Sequence, residues 1–229
     1  MKFDLHVHSY FSRDAINNPE RIVRFFLRKK MGFAITDHDN CDAWPAIRKY
    51  AEHYGVECVL GEEIKVFDGK KFIGELLGYF MNAPIEPGDY RDVLDQLREQ
   101  AALVAIAHPF DILREPMIQR PIFSKPERAA YIVGNVHAVE AFNSRCVLKS
   151  FNKKAVDFAH EKKLALLGGS DAHFPEELGK AFTQFEGNTA EELRHAIKKK
   201  KTNCYGTLSH PFVHVITTVN KHTKHRKDY

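Results

Sequence analysis

At 229 residues, 44% of them hydrophobic and 28% charged, the chain has ordinary globular composition, which excludes a wholly disordered or fibrous protein and allows one large domain. The formal net charge of +4, owed partly to Lys198-Lys199-Lys200-Lys201 and to basic residues near Lys221 and Lys227, tolerates anionic substrates without requiring nucleic acid. No stretch approaches the roughly 18 consecutive apolar residues of a membrane span, and Met1 to His6 puts an acid and a histidine where a secretory leader needs an apolar run, so a cytoplasmic location is expected.

Phe3 to Val7 opens the chain as a strand-like apolar run, and Asn18-Pro19 then offers an N-cap and a first-turn proline to a helix carrying Ile22, Val23, Phe25 and Phe26. Strands follow at Phe33 to Thr36 and Val56 to Leu60. Ile64 to Phe67 and Phe72 to Phe80 flank Gly69 and predict a hairpin that decorates the main sheet. Asp89 to Gln100 reads as a helix, Leu103 to Ala107 as a strand, and Pro109 to Pro126 as a long loop over one face, the kind of loop that often carries function. Ala138 to Phe142 and Leu164 to Leu167 are strands around a helix over Val147 to Lys162. Thr189 with Glu192 forms a capping box for a helix ending in the lysine run, before a last strand at Thr202 to Tyr205. Seven main strands alternating with helices imply a parallel sheet covered by helices. The expected division is one domain over residues 1–220 and a basic, mobile tail over 221–229. Cys41, Cys58, Cys146 and Cys204 are far apart with no CxxC pair and read as free thiols.

Chemistry recurs at the strand ends. His6 and His8 bracket Val7, and alternation along a strand sends both imidazoles to one face. An HxH pair alone is a weak signal. Here Thr36-Asp37-His38-Asp39 ends the second strand, Glu62-Glu63 the third, His108-Pro109 the fourth, Glu140 to Asn143 the fifth and Ser170-Asp171-Ala172-His173 the sixth. Metal-capable side chains thus stand at the carboxyl end of strand after strand, where parallel barrels place their active sites. His53, His160 and His195 fall in helical patterns away from strand ends. They read as surface or packing residues, as do His210 and His214, and Trp44 reads as core.

The ordered set Asp4-Leu5-His6-Val7-His8-Ser9, Thr36-Asp37-His38, Gly61-x-Glu63, His108-Pro109, Glu140 and Ser170-Asp171-x-His173 resembles the PHP (polymerase and histidinol phosphatase) superfamily of metal-dependent phosphoesterases, over nearly the whole chain. The resemblance implies a distorted seven-stranded (β/α)7 barrel, TIM-like, holding two or three divalent ions: manganese, zinc, iron or magnesium. It implies that His6, His8, Glu63 and Asp171 hold one ion, that Glu63 bridges to a second, and that Asp14, His38, His108 and His173 hold a third. The second ion would be completed by Glu140 and by Glu75, which stands where relatives carry a histidine and would favour harder metals. A water made nucleophilic by the ions would attack phosphorus, with Asp171 and His173 in the catalytic centre and Arg145, or Arg13, facing the phosphoryl oxygens.

The expected reaction is hydrolysis of a phosphate ester. The substrate would be a small phosphorylated molecule, a nucleotide or short oligonucleotide among the options, with no membrane and no obligate protein partner. An amidohydrolase-type metallohydrolase is the rival enzyme, since it too begins with HxH on a barrel. A catalytically weak, metal-binding regulatory barrel is the rival from another class.

Overall fold

The computed structural model describes residues 1–114, 116–119 and 125–223, without the side chains of 119 and 220–223. The first half contains β1 (Lys2–Val7), α1 (Pro19–Lys29), β2 (Gly32–Ile35), α2 (Trp44–Tyr54), β3 (Cys58–Asp68), β4 (Lys71–Tyr79), β5 (Gly88–Asp89), α3 (Tyr90–Glu99) and β6 (Leu103–Ile106). The second contains α4 (Pro126–Asn135), β7 (Ala138–Asn143), α5 (Lys149–Lys162), β8 (Ala165–Gly169), β9 (Ala181–Gln184), α6 (Ala190–Lys198), β10 (Asn203–Gly206) and α7 (Phe212–Thr223). Residues 224–229, most of the expected tail, lie outside the described residues; residues 221–223 belong to α7.

Local chemistry starts the helices as expected. Asn18 Oδ1 accepts from the Glu20 and Arg21 amides at 3.0 and 3.3 Å, relieving two of the unpaired N–H groups at the start of α1. At α6, Thr189 Oγ1 accepts from Glu192 N at 3.2 Å while Glu192 Oε2 accepts from Thr189 N at 3.1 Å.

The strands form one sheet in the order β10-β9-β1-β2-β3-β4-β6-β7-β8, with β5 added beside β3. β1, β2 and β3 are parallel, β4 runs antiparallel between β3 and β6, and β6, β7 and β8 are again parallel. The sheet curls until β8 returns to β1. There Asp171 N donates to His6 O at 2.7 Å and His8 N to Ala172 O at 3.0 Å, so the barrel is nearly closed. Two expectations are corrected. Ten strands are present among the described residues instead of seven, and the segment expected to decorate the sheet, Phe72 to Phe80, is β4, a wall of the barrel that Leu76 to Tyr79 tie to Leu103 to Ile106. The run at Thr202 to Tyr205 is β10, which returns after α6 to pair antiparallel with β9, itself antiparallel to the start of β1. The nearly continuous burial of β4 gives the reason: a strand apolar on both faces cannot stay on the outside.

Two apolar layers hold the barrel. Ile22, Phe26, Phe33, Ile35, Ile47 and Leu97 belong to the layer between sheet and helices. Phe3, Leu5, Leu77, Tyr79, Ala105 and Leu167 fill the interior, closed near the start of β1 by Leu193 and Ile197 of α6. Trp44 belongs to the first layer and donates its indole N–H to Gly61 O at 3.0 Å. The four cysteines are unpaired. No described helix is long and apolar enough to cross a membrane.

Candidate metal centre

The carboxyl ends of the parallel strands converge on one polar cluster inside the apolar shell. β1 delivers His6 and His8, both fully buried, through an irregularity in its register with β2 between Asp4 and Val7. Beyond β8 the chain turns sharply. Asp171 there has φ 56°, and His108, just beyond β6, φ 23°, values that cost a non-glycine residue roughly 1–3 kcal/mol and that cluster at functional sites. Gly169 must lack a side chain, because a Cβ there would stand 2.4 Å from the His6 Cβ and 2.9 Å from Glu140 Oε1.

Glu63 sits at the centre. Its Oε2 lies 2.8 Å from His38 Nδ1, 3.3 Å from His6 Nε2 and 3.4 Å from His8 Nε2, while its Oε1 lies 3.0 Å from His108 Nε2. Asp171 Oδ1 is 3.2 Å from His8 Nε2, 3.4 Å from His173 Nδ1 and 3.7 Å from His6 Nε2. Asp14 Oδ1 approaches His173 Nε2 at 3.4 Å and His38 Nε2 at 3.7 Å. Three sets bring ligand atoms within 4.8 Å of one another: His8 with His38 and His173; His6 with His8 and Asp171; His38 with Glu63 and Glu75.

Those same atoms lack ordinary partners. His6 Nε2, His8 Nε2, His38 Nδ1, Asp14 Oδ1 and Glu63 Oε2 are buried without a hydrogen bond. A cluster of unsatisfied buried nitrogen and carboxylate atoms is costly unless a ligand satisfies it. Mixed imidazole and carboxylate donors with lone pairs directed at common points fit divalent cations.

A second layer aims the ligands. Glu140 Oε1 accepts from His6 Nδ1 at 2.8 Å, so His6 carries its proton on Nδ1 and presents the Nε2 lone pair. His173 Nδ1 donates to the Asp171 carbonyl at 2.9 Å and likewise frees Nε2. Asp4 accepts from Ser170 N, Ser170 Oγ and Gly179 N at 2.8, 2.5 and 2.9 Å, bracing the turn that carries Asp171. Asp37 does the same for the loop after His8, accepting from Ser9 N, Ser9 Oγ and Ser12 Oγ at 2.7, 2.6 and 2.5 Å.

Electrostatics follow from burial and proximity. Burial opposes protonation of His38, but the Glu63 and Asp14 carboxylates outweigh it and push the imidazole up to about 10. Burial, then the neighbouring His173 and His38, holds His8 well below the usual histidine range. Burial works to raise Asp171, yet Arg114 and His6 hold it well below the usual carboxylate range. Burial raises Asp4 to about 7 in spite of its hydrogen bonds.

His6, His8, Asp14, His38, Glu63, Glu75, His108, Asp171 and His173 therefore share one site, with two regroupings. His108 stands with Glu63 and with Glu75 Oε2, 3.4 Å away, whereas Asp14 stands with His38 and His173. Glu140 lies behind the ligands: its oxygens accept from His6 Nδ1, from His108 N at 2.8 Å and from Asn143 Nδ2 at 3.0 Å. Arg145 is near but engaged. Its Nε meets Glu177 Oε1 at 3.2 Å, and Nη2 donates to Val213 O and Thr217 Oγ1 of α7. His214 Nε2 donates to the Arg145 carbonyl at 2.9 Å, whereas His53, His160, His195 and His210 are exposed. Arg114 was not anticipated. It reaches Asp171 from the 3-10 turn Ile112–Arg114, inside the loop flagged for its length but with no pattern that singles out one residue.

The cluster floors a cavity of about 960 Å³ whose wall includes Phe11, Arg13, Lys65, Phe72, Arg114 and Thr217. The volume suits a ligand larger than phosphate alone.

Comparison with known proteins agrees with this architecture. A family model of PHP-associated sequences matches residues 149–202. The uncharacterized protein MJ0417 of Methanocaldococcus jannaschii is 35% identical over 186 residues, spanning 81% of this chain and 70% of that protein. Among solved structures, a two-domain Bacteroides vulgatus protein containing a predicted PHP-like metal-dependent phosphoesterase superposes with a TM-score of 0.74 at 22% identity, covering 96% of this chain and 69% of that one. An amidohydrolase from Chromobacterium violaceum, solved with bound sulfate and no metal, gives a TM-score of 0.63 at 15% identity over 89% of this chain and 97% of that one. Fold, strand-end ligands and sequence relatives agree, and the chain belongs to the PHP superfamily.

Proposed function

We propose that this protein hydrolyses phosphate esters with two or three divalent ions held by His6, His8, Asp14, His38, Glu63, Glu75, His108, Asp171 and His173. The observation that carries the reading is the convergence of five buried, unsatisfied ligand atoms, those of Asp14, His38 and Glu63 lining one cavity and those of His6 and His8 lying beneath it. Divalent ions bound there would supply Lewis acidity, placing positive charge near phosphoryl oxygens and lowering the pKa of water. The protein's own residues bind and orient. Glu140 and the Asp171 carbonyl set the tautomers of His6 and His173, and Glu63 presents both oxygens to histidines on either side, as a bridging carboxylate must. Glu75 adds a second carboxylate beside Glu63, which favours manganese or magnesium over zinc. Basic groups on the cavity wall suit a small anionic substrate.

The likeness to the Chromobacterium violaceum amidohydrolase favours a second reading, water attack on an amide or ester. A screen of chromogenic phosphate monoesters and diesters, alongside amide and carboxylic ester substrates, each with manganese, zinc and magnesium, separates them. Metal-dependent turnover of a phosphate ester supports the proposal. Turnover of amides only, or tight metal binding without any turnover, overturns it.

A further inference from the structure

We propose that Arg114 is the phosphoryl-binding cation of this site, a role that rests on the phosphoesterase reading above. Four basic side chains line the cavity, and their surroundings rank them. Arg145 is only 4% exposed, and Glu177 and α7 engage it. Lys65 is paired with Asp39. Arg13 is exposed, and ordering a free arginine on a ligand costs side-chain entropy. Arg114 is 18% exposed, beside the ligand cluster, and already ordered.

Its order comes from three directions. Nη1 donates to Asp171 Oδ2, Nη2 to Asn143 Oδ1 at 3.4 Å, and Nε stands 3.4 Å from Asp111 Oδ2. The backbone is tied to a ligand residue, since Asp111 N donates to His108 O at 3.1 Å and Arg114 N to Asp111 O at 3.0 Å. A guanidinium has five N–H donors in a rigid fork. The three partners named take three of them, leaving donors for oxygens in the cavity. Asp171 divides its work in the same way: Oδ1 faces His6, His8 and His173, while Oδ2 takes Arg114 and, at 3.0 Å, Asn143 Nδ2. Arg114 thus holds the Asp171 oxygen that the histidines leave and lines the same cavity as His38, His108 and His173, where a phosphoryl group held at the cluster can receive charge-assisted hydrogen bonds.

Two roles of Arg114 make opposite predictions. If it only props Asp171, losing it weakens metal binding. If it binds phosphoryl oxygens, losing it weakens phosphate binding, while removal of a neighbouring positive charge leaves metal affinity equal or tighter. The experiment is calorimetric titration of wild type, Arg114→Met and Arg114→Gln, first with Mn2+ and then, on the Mn2+-loaded proteins, with inorganic phosphate. The expected result is a loss of about 10- to 100-fold in phosphate affinity with Mn2+ affinity unchanged or higher. Phosphate affinity within twofold of wild type, or parallel loss of both affinities, overturns the proposal. Two substitutions are used so that a folding defect in one leaves the other to decide. Phosphate binding is read without turnover, so a wild type that hydrolyses no phosphate ester counts against the proposed function and still leaves Arg114 tested.

Discussion

Glu140→Gln is the perturbation that most sharply tests how the second layer works. In the wild type both carboxylate oxygens accept: Oε1 from His6 Nδ1, Oε2 from His108 N and Asn143 Nδ2. Glutamine keeps the shape but replaces one oxygen by a donor, which must meet either His6 Nδ1–H or the two N–H groups opposite. In the first orientation His6 must move its proton to Nε2, the atom meant for the metal. In the second, two buried donors lose their acceptor at a cost of about 1–3 kcal/mol. Either way metal binding bears the loss, and outer-layer substitutions typically weaken metal affinity about 10- to 100-fold. Titration of Mn2+ into the metal-free variant should show that loss with the number of ions per chain unchanged, and circular dichroism should show a native fold. Affinity within twofold of wild type would refute the orienting role. Loss of one whole ion per chain would make Glu140 a ligand instead.

Metal uptake should strengthen with pH. The His38 pKa is raised from 6.5 to about 10, so its pairing with Glu63 and Asp14 stabilises the metal-free protein fully below pH 6.5 and is lost as pH climbs through about 10. A cation must displace that proton, so apparent Mn2+ affinity should rise by up to about tenfold per pH unit across that window, and a flat series at pH 6.5, 7.5 and 8.5 would contradict it. Glu75→His should shift metal preference toward zinc in competition titrations with activity retained, whereas Glu75→Ala with unchanged metal content and rate would remove Glu75 from the ligands. His53→Ala, on the exposed side of α2, should leave stability within about 0.5 kcal/mol in thermal melts and change neither metal content nor rate.

Most of the site was legible because metal ligands of this kind sit at strand ends, where a two-residue period and the order of motifs both leave marks. His6 and His8 need only alternation, and His38, Glu63, His108, Asp171 and His173 each follow an apolar run. The grouping of ligands around particular ions was not legible. His108 neighbours Glu63 and Glu75 whereas Asp14 neighbours His38 and His173, a matter of barrel curvature that spacing does not encode. Nor does spacing show that Glu140 spends its oxygens on His6 Nδ1, His108 N and Asn143 Nδ2. Arg114 escaped because a 3-10 turn in a long loop carries no periodic signal. β4 was misplaced because hairpin patterning is the same whether its second strand is an edge or a wall. α7 carries only a weak sign in the sequence: Phe212, Val215, Ile216 and Val219 recur at helical spacing after Pro211, but they are exposed in the fold and form no buried stripe.

On the proposed function, bound divalent ions convert this cluster into a phosphoesterase. The most direct measurement strips the protein with chelator, restores Mn2+ stepwise, and follows bound metal per chain together with hydrolysis of a chromogenic phosphate monoester, for wild type and Asp171→Asn. The expected result is no turnover without metal, activity rising as more than one ion binds per chain, and loss of both metal and rate in Asp171→Asn. Saturation at one ion per chain, or hydrolysis that persists after complete metal removal, would contradict it.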